Sequence, residues 1–158
     1  LVEIALDPLV HRLHIANPDE EVGAGVGTGS TFDFLTDKGV YIVTSLAENP
    51  LELSLVTLTD WGARPAPNEE VMPPEILNRM TRTVTALEHQ FGHTVLARTI
   101  YVRAQEYHLD VGSYVLWFDA RSTVEEQMSR YRTFLEAVGI GEVTEYIDLR
   151  IKDRVVYR

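Results

Sequence analysis

The chain has 158 residues, 45% of them apolar and 24% charged, and carries a net charge of −10 at pH 7. This suits one folded domain, or one domain with a fragment of another, and excludes a disordered polymer. The absence of cysteine excludes a disulfide framework, a cysteine nucleophile and a thiolate metal site.

The basic residues do not cluster. Arg79, Arg82, Arg98, Arg103, Arg121, Arg130 and Arg132 alternate with acidic or apolar residues, so no basic face collects phosphates and no nucleic-acid partner is expected. An anionic membrane surface would repel the chain. It contains no run of about 18 apolar residues that could span a bilayer. With Leu1 first and no signal peptide, it reads as an excised soluble portion of a longer protein.

In chain order, residues 10–16 alternate as a strand with His11, Leu13 and Ile15 on one face, which puts His11 and His14 on opposite faces. Residues 31–35 and 40–46 flank Thr36-Asp-Lys-Gly39, a hairpin-turn signal with glycine where a positive φ is expected. The glycines from Gly23 to Gly29 read as a flexible connection. Residues 53–59 form a short strand between loops at 48–50 and 62–67. Pro73-Pro74 opens a helix, Ile76, Leu77, Met80, Val84, Leu87 and Phe91 form its apolar stripe, and Gly92 stops it. Residues 94–105 read as a strand, and 107–110 with 113–119 as a hairpin around Val111-Gly112. Ser122-Thr-Val-Glu125 is read as the capping box of a second helix, whose apolar face is Val124, Met128, Tyr131, Leu135 and Val138 and whose stop is Gly139. Residues 143–151 are strand-like, Lys152-Asp153 turns, and 155–157 end the chain. The order predicts an α+β fold: a mostly antiparallel sheet with two helices on one face.

Few residues offer chemistry. His89 and His93 stand four apart, the spacing of a helical zinc pair, but Gln90 occupies the place of the usual general base and Gly92 falls between them. The glycine run lacks Gly-Lys-Ser/Thr, has Thr28 where a dinucleotide loop needs its third glycine, and precedes a strand. No serine sits in a Gly-x-Ser-x-Gly context, and the paired acids fall in loops or first helical turns. Trp61 and Trp117 read as core or strand-face residues. No catalytic constellation and no cofactor site emerge, so the chain is not expected to be an enzyme.

What remains is Tyr146-Ile-Asp-Leu-Arg-Ile151. It alternates Ile147, Leu149 and Ile151 on one face with Tyr146, Asp148 and Arg150 on the other. The pattern fits an internal strand with a solvated face. It fits equally a strand near a sheet edge that accepts a partner strand by main-chain pairing.

The capped helix with its glycine stop, the Tyr146-Ile-Asp-Leu-Arg150 motif and the tail Asp153-Arg-Val-Val156 together resemble the C-terminal half of the β domain of the FtsQ/DivIB family of bacterial cell-division proteins. Gln127-Met-Ser-Arg-Tyr-Arg-Thr-Phe-Leu135, the helix from Pro74 to Phe91 and the hairpin ending Val115-Leu-Trp-Phe118 fall where that family has them. Leu13-His-Ile15 is similar to the late strand of the preceding POTRA domain, and Asp37-Lys-Gly39 to the family's junction. The resemblance implies a partial POTRA-like segment over residues 1–40 and a β domain over 41–158. It implies a non-catalytic divisome scaffold on the extracytoplasmic face of the bacterial cell membrane, anchored by a single pass outside this chain. Its partners would be FtsB/DivIC-like and FtsL-like proteins. The contacts would fall on Arg150, Ile151, Asp153, Arg154, Val155 and Tyr157. Two departures stand out: Ala16-Asn-Pro-Asp-Glu20 replaces the usual Glu-basic-x-Pro, and Ile151 replaces an aromatic residue found in some members. The alternatives are a metal-dependent hydrolase using His89 and His93, or a generic extracytoplasmic POTRA-type interaction module.

Overall fold

The computed structural model describes residues 8–16, 32–44, 53–59 and 64–158. The glycine run 23–29, the loop at 48–50 and Trp61 lie outside the described residues.

Among the described residues, alternating and β-branched segments become nine strands of one sheet: β1 (Leu9–Ile15), β2 (Phe32–Thr36), β3 (Tyr41–Thr44), β4 (Leu55–Thr59), β5 (Ala97–Tyr101), β6 (Glu106–Asp110), β7 (Val115–Asp119), β8 (Tyr146–Asp148) and β9 (Val156–Tyr157). Their spatial order is β3-β2-β1-β4-β5-β6-β7-β8-β9. Pairings β1–β2, β2–β3, β5–β6, β6–β7 and β8–β9 are antiparallel. Pairings β1–β4, β4–β5 and β7–β8 are parallel. The fold is thus α+β on a mixed, mostly antiparallel sheet. The expected boundary between residues 40 and 41 falls inside the β2–β3 hairpin, whose strands share the sheet with everything after them.

Helix α1 (Pro74–Phe91) carries its apolar stripe inward through Leu77, Met80, Val84 and Leu87, and Gly92 ends it in the left-handed conformation at φ 70°. Helix α2 (Val124–Ala137) buries Val124, Met128, Tyr131 and Phe134. Both helices cover the same face of the sheet. The buried Tyr107 hydroxyl of β6 bonds Thr83 Oγ1 of α1 at 2.8 Å and accepts from Gln127 Nε2 of α2 at 3.2 Å. The core lies between this face and the helices, with Leu58, Ile100, Leu109, Leu116, Phe118 and Ile147 fully enclosed.

Three sequence expectations shift. The N-cap of α2 is Thr123, not Ser122: Thr123 Oγ1 accepts from Glu126 N and Glu126 returns to Thr123 N. Both registers fit the capping pattern, but Ser122 Oγ instead donates to Asp119 Oδ2 and accepts from Arg130 Nη2. The strand expected over 94–105 is only Ala97–Tyr101, because a turn closed by Gln105 N bonding to Val102 O, with Gln105 at φ 54°, starts β6 at Glu106. The long strand expected over 143–151 is three residues, since the Asp148 carboxylate accepts from Arg150 N and bends the chain out of the sheet.

Two positions yield measurable consequences. Gly39 turns the β2–β3 hairpin at φ 73°, and an added Cβ would collide with the Met72 carbonyl oxygen. Gly39→Ala therefore combines backbone strain with a clash against main chain and should destabilise by about 2–4 kcal/mol in denaturant titration.

His11 is buried on β1 beside Ser54 Oγ at 2.6 Å. Burial, aided by the Arg98 charge, holds its pKa down at about 4. Burial also lowers His93 and His108. The unfolded chain, with histidines near their ordinary value of about 6.5, then binds more protons than the folded one in this window. Stability is full above pH of about 6.5 and falls as the pH drops towards 4, with His11 contributing up to about 3 kcal/mol. Unfolding free energies measured across this range should show the decline, and His11→Leu should make it shallower, leaving the part due to His93 and His108.

Candidate functional site

An open sheet has two edges with unpaired main-chain groups, and the two edges here are treated differently. At β3, the outward N–H of Tyr41 donates to Glu69 O and its carbonyl accepts from Asn68 N, each at 2.8 Å. Val71 N donates to Gly39 O at 3.0 Å, and Val40 bridges Glu70. The segment 66–71 therefore caps the start of that edge. The Tyr41 hydroxyl donates to Asp33, and Arg64 binds both groups, pinning the same corner.

At the other edge, Arg158 and Tyr146 exchange both main-chain bonds, N to O at 3.1 and 3.2 Å. In an antiparallel ladder the residues that exchange bonds alternate with residues that point outward. Tyr157 thus directs its N–H and carbonyl away from β8. Val156 and Tyr157 are 37% and 38% exposed. Val156 continues the open-face row through Trp117 and Asp148, and Tyr157 the helix-side row through Leu116 and Ile147. The Tyr157 ring packs edge-on to Phe134 of α2, with centroids 5.2 Å apart, and its hydroxyl reaches Glu142.

The residues expected to contact a partner do not all lie on this edge. Val155 is half-buried against the core, while Lys152, Asp153 and Arg154 form the exposed turn before β9. Ile151 leaves the buried row of Ile147 and Leu149. It lines a cavity of about 280 Å3 with Gln105, Glu106, Asp119, Arg121 and Arg150.

Arg150 is engaged within the chain. Its Nε and Nη2 donate to the two Asp148 oxygens at 2.8 and 2.7 Å, and its Nη1 donates to Glu106. Its guanidinium lies 4.9 Å over the Trp117 ring. Trp117 is stacked between His108 (4.7 Å) and Tyr146 (4.2 Å), and Tyr101 extends the row. The hydrogen bonds to Asp148 raise the Arg150 pKa further. Burial opposes the Asp148 carboxylate, but the bonds and charge of Arg150 outweigh it and hold its pKa below the usual range. Sequence reasoning missed Glu106 and Trp117 as parts of this cluster. The available signal was the alternation that puts Glu106, His108, Trp117, Asp148 and Arg150 on the face away from the helices.

The histidine pair is split by the end of α1. His89 is exposed in the last helical turn, while His93 lies beyond Gly92 with Nε2 2.6 Å from the Tyr131 hydroxyl, itself 2.8 Å from that of Tyr114. Burial pushes the Tyr131 hydroxyl pKa far up. No cluster of three or more metal-ligating side chains occurs among the described residues. No helix among them is long and apolar enough to cross a membrane. No protein-family model matches the chain, and no curated protein matches it at a significant level.

Removing Arg150 would leave two largely enclosed carboxylates, Asp148 at 7% and Glu106 at 15% side-chain exposure, without their shared cation, Glu106 keeping only its contact with the His108 ring. Because Arg150 is itself 31% exposed, solvent screening cuts the cost below that of a fully buried pair, and Arg150→Ala should destabilise by about 2 kcal/mol at pH 7. Asp148 in the parent chain contributes stability above its ordinary pKa of about 3.9 and loses it as the pH falls through its lower folded value. The gap between parent and variant should therefore narrow below pH of about 4 in acid titrations of stability.

Proposed function

We propose that this chain is a non-catalytic binding module that accepts an extended segment of a partner protein along β9, in the manner of the FtsQ/DivIB proteins it resembles. The observation that carries the reading is the asymmetry of the edges. The start of β3 is capped by segment 66–71, whereas Tyr157 offers outward main-chain groups beside a half-exposed ring. Strand addition draws affinity from such main-chain bonds and specificity from alternate side chains. In this reading the partner is an FtsB/DivIC-like division protein bound together with an FtsL-like one. The chain is the extracytoplasmic part of a single-pass membrane protein that helps assemble the septal machinery. Val155 and Tyr157 supply the main-chain contacts. Ile151, Asp153 and Arg154 flank them, and Arg150 acts from behind.

A pull-down and affinity titration with the FtsB-type and FtsL-type pair from the same source tests this. In this reading the partner pairs back past β9 to Val155, and Val155→Pro removes that donor without touching the Tyr146–Arg158 exchange. Loss of one or two main-chain bonds predicts binding weakened about 10- to 100-fold, with a melting temperature near that of the parent. Equal binding by Val155→Pro and the parent, or no binding by the parent, refutes the reading.

A further inference from the structure

Strand β9 is two residues long, too short for its few ladder bonds to outweigh the entropy of ordering it. Besides the packing of Tyr157 on Phe134 and the Arg158–Tyr146 exchange, its place depends on the residues that deliver it. Those residues are pinned from both faces of the sheet. On the helix side, Arg130 of α2 donates from Nη1 to the Leu149 carbonyl and from Nη2 to Ser122 Oγ. On the open side, the Arg150 guanidinium is forked onto Asp148, tied to Glu106 of β6 and laid over Trp117 of β7. Trp117 cannot tilt away, because His108 and Tyr146 are stacked nearly parallel on its two sides, at 6° and 8°.

We infer that Glu106 and Trp117 are positioning residues for the edge: acting through Arg150, they fix where the chain leaves β8 and so hold β9 in the register that presents Tyr157. This inference rests on the reading of β9 as the binding edge. Neither residue can meet a partner on β9 directly, since β8 separates β7 from β9 and β6 lies one strand further in. Glu106 is three strands from the edge in space and 44 positions from Arg150 in sequence. With the charge of Glu106 removed, the tie from Arg150 to β6 drops to a weaker neutral bond, and Arg150 is held chiefly by its local fork to Asp148, which turns with the chain. An edge formed for only a fraction of the time binds its partner more weakly by that fraction.

The test combines amide hydrogen exchange on the free chain with affinity for the FtsB-type and FtsL-type pair. Glu106→Gln and Trp117→Ala should each speed exchange at Tyr146 and Arg158 about tenfold, leave Leu109 and Leu116 in β6 and β7 unchanged, and weaken the partner by a similar factor. Trp117→Phe, which keeps a flat ring beneath the guanidinium, should restore both. Unaltered exchange at Tyr146 and Arg158 in Glu106→Gln overturns the inference. So does exchange that rises equally at Leu109 and Leu116, which marks general destabilisation. Localised faster exchange, in a protein whose parent form binds no partner, upholds the hold on β9 and overturns the strand-addition reading instead.

Discussion

A sheet that does not close on itself must deal with two rows of main-chain groups that have no strand beside them, and the shape of this molecule follows from how it deals with them. One end is folded over: the 66–71 segment lies against β3, and Asp33, Tyr41 and Arg64 lock it from the side. The other end stops at a strand of two residues, of which Tyr157 turns its main chain outward. Between the two, the sheet is made rigid by helices on one face alone. Tyr107, at the centre, ties both helices to the sheet through a single hydroxyl.

Because the helices cover only one face, the other had to be filled by the sheet itself. It is filled by a row of flat rings, Tyr101, His108, Trp117 and Tyr146, each lying against the next across successive strands. Stacking of this kind covers much of each ring's faces, so the row is poorly suited to holding a sugar or a base between free faces. It offers instead a stiff surface on which a guanidinium can rest. Arg150 uses it, and thereby connects the middle of the sheet to the last turn of the chain. Arg150 in turn holds Asp148 ionised, so the contact stabilises both members of that pair.

The sequence made some of this legible and hid the rest for definable reasons. Helix α1 was readable because its stripe is regular and Gly92 needs a left-handed backbone; the β2–β3 turn was readable because Gly39 does too. The β6–β7 hairpin was readable because its residues alternate and its turn carries Gly112. The central place of β1, parallel to β4, was not, because parallel neighbours are set by tertiary packing and leave no local turn signal. The helix cap was misplaced by one residue because two overlapping Ser/Thr-x-x-Glu patterns compete, and only the spatial neighbour Asp119 decides between them. Arg150 was readable as important from its motif, but not as an internal clamp: Trp117 and Glu106 are 33 and 44 residues away.

If β9 is the binding edge proposed above, its shortness is the point at which stability and binding meet. A long, well-paired terminal strand would protect its own edge poorly and would invite copies of the same chain to pair. A two-residue strand set on a firm base offers too little main chain for indiscriminate pairing. It also arrives already ordered, so a partner gives up less in arranging it. The exposed turn Lys152-Asp153-Arg154 sits beside this edge on a chain of net charge −10. Two cations in three residues make it locally basic, so the proposed strand addition would favour a partner segment carrying acid near its point of entry. Firm support behind the edge and a short length at the edge are therefore complementary requirements: the first sets the geometry of pairing, and the second keeps pairing from occurring without the side-chain contacts that select the partner.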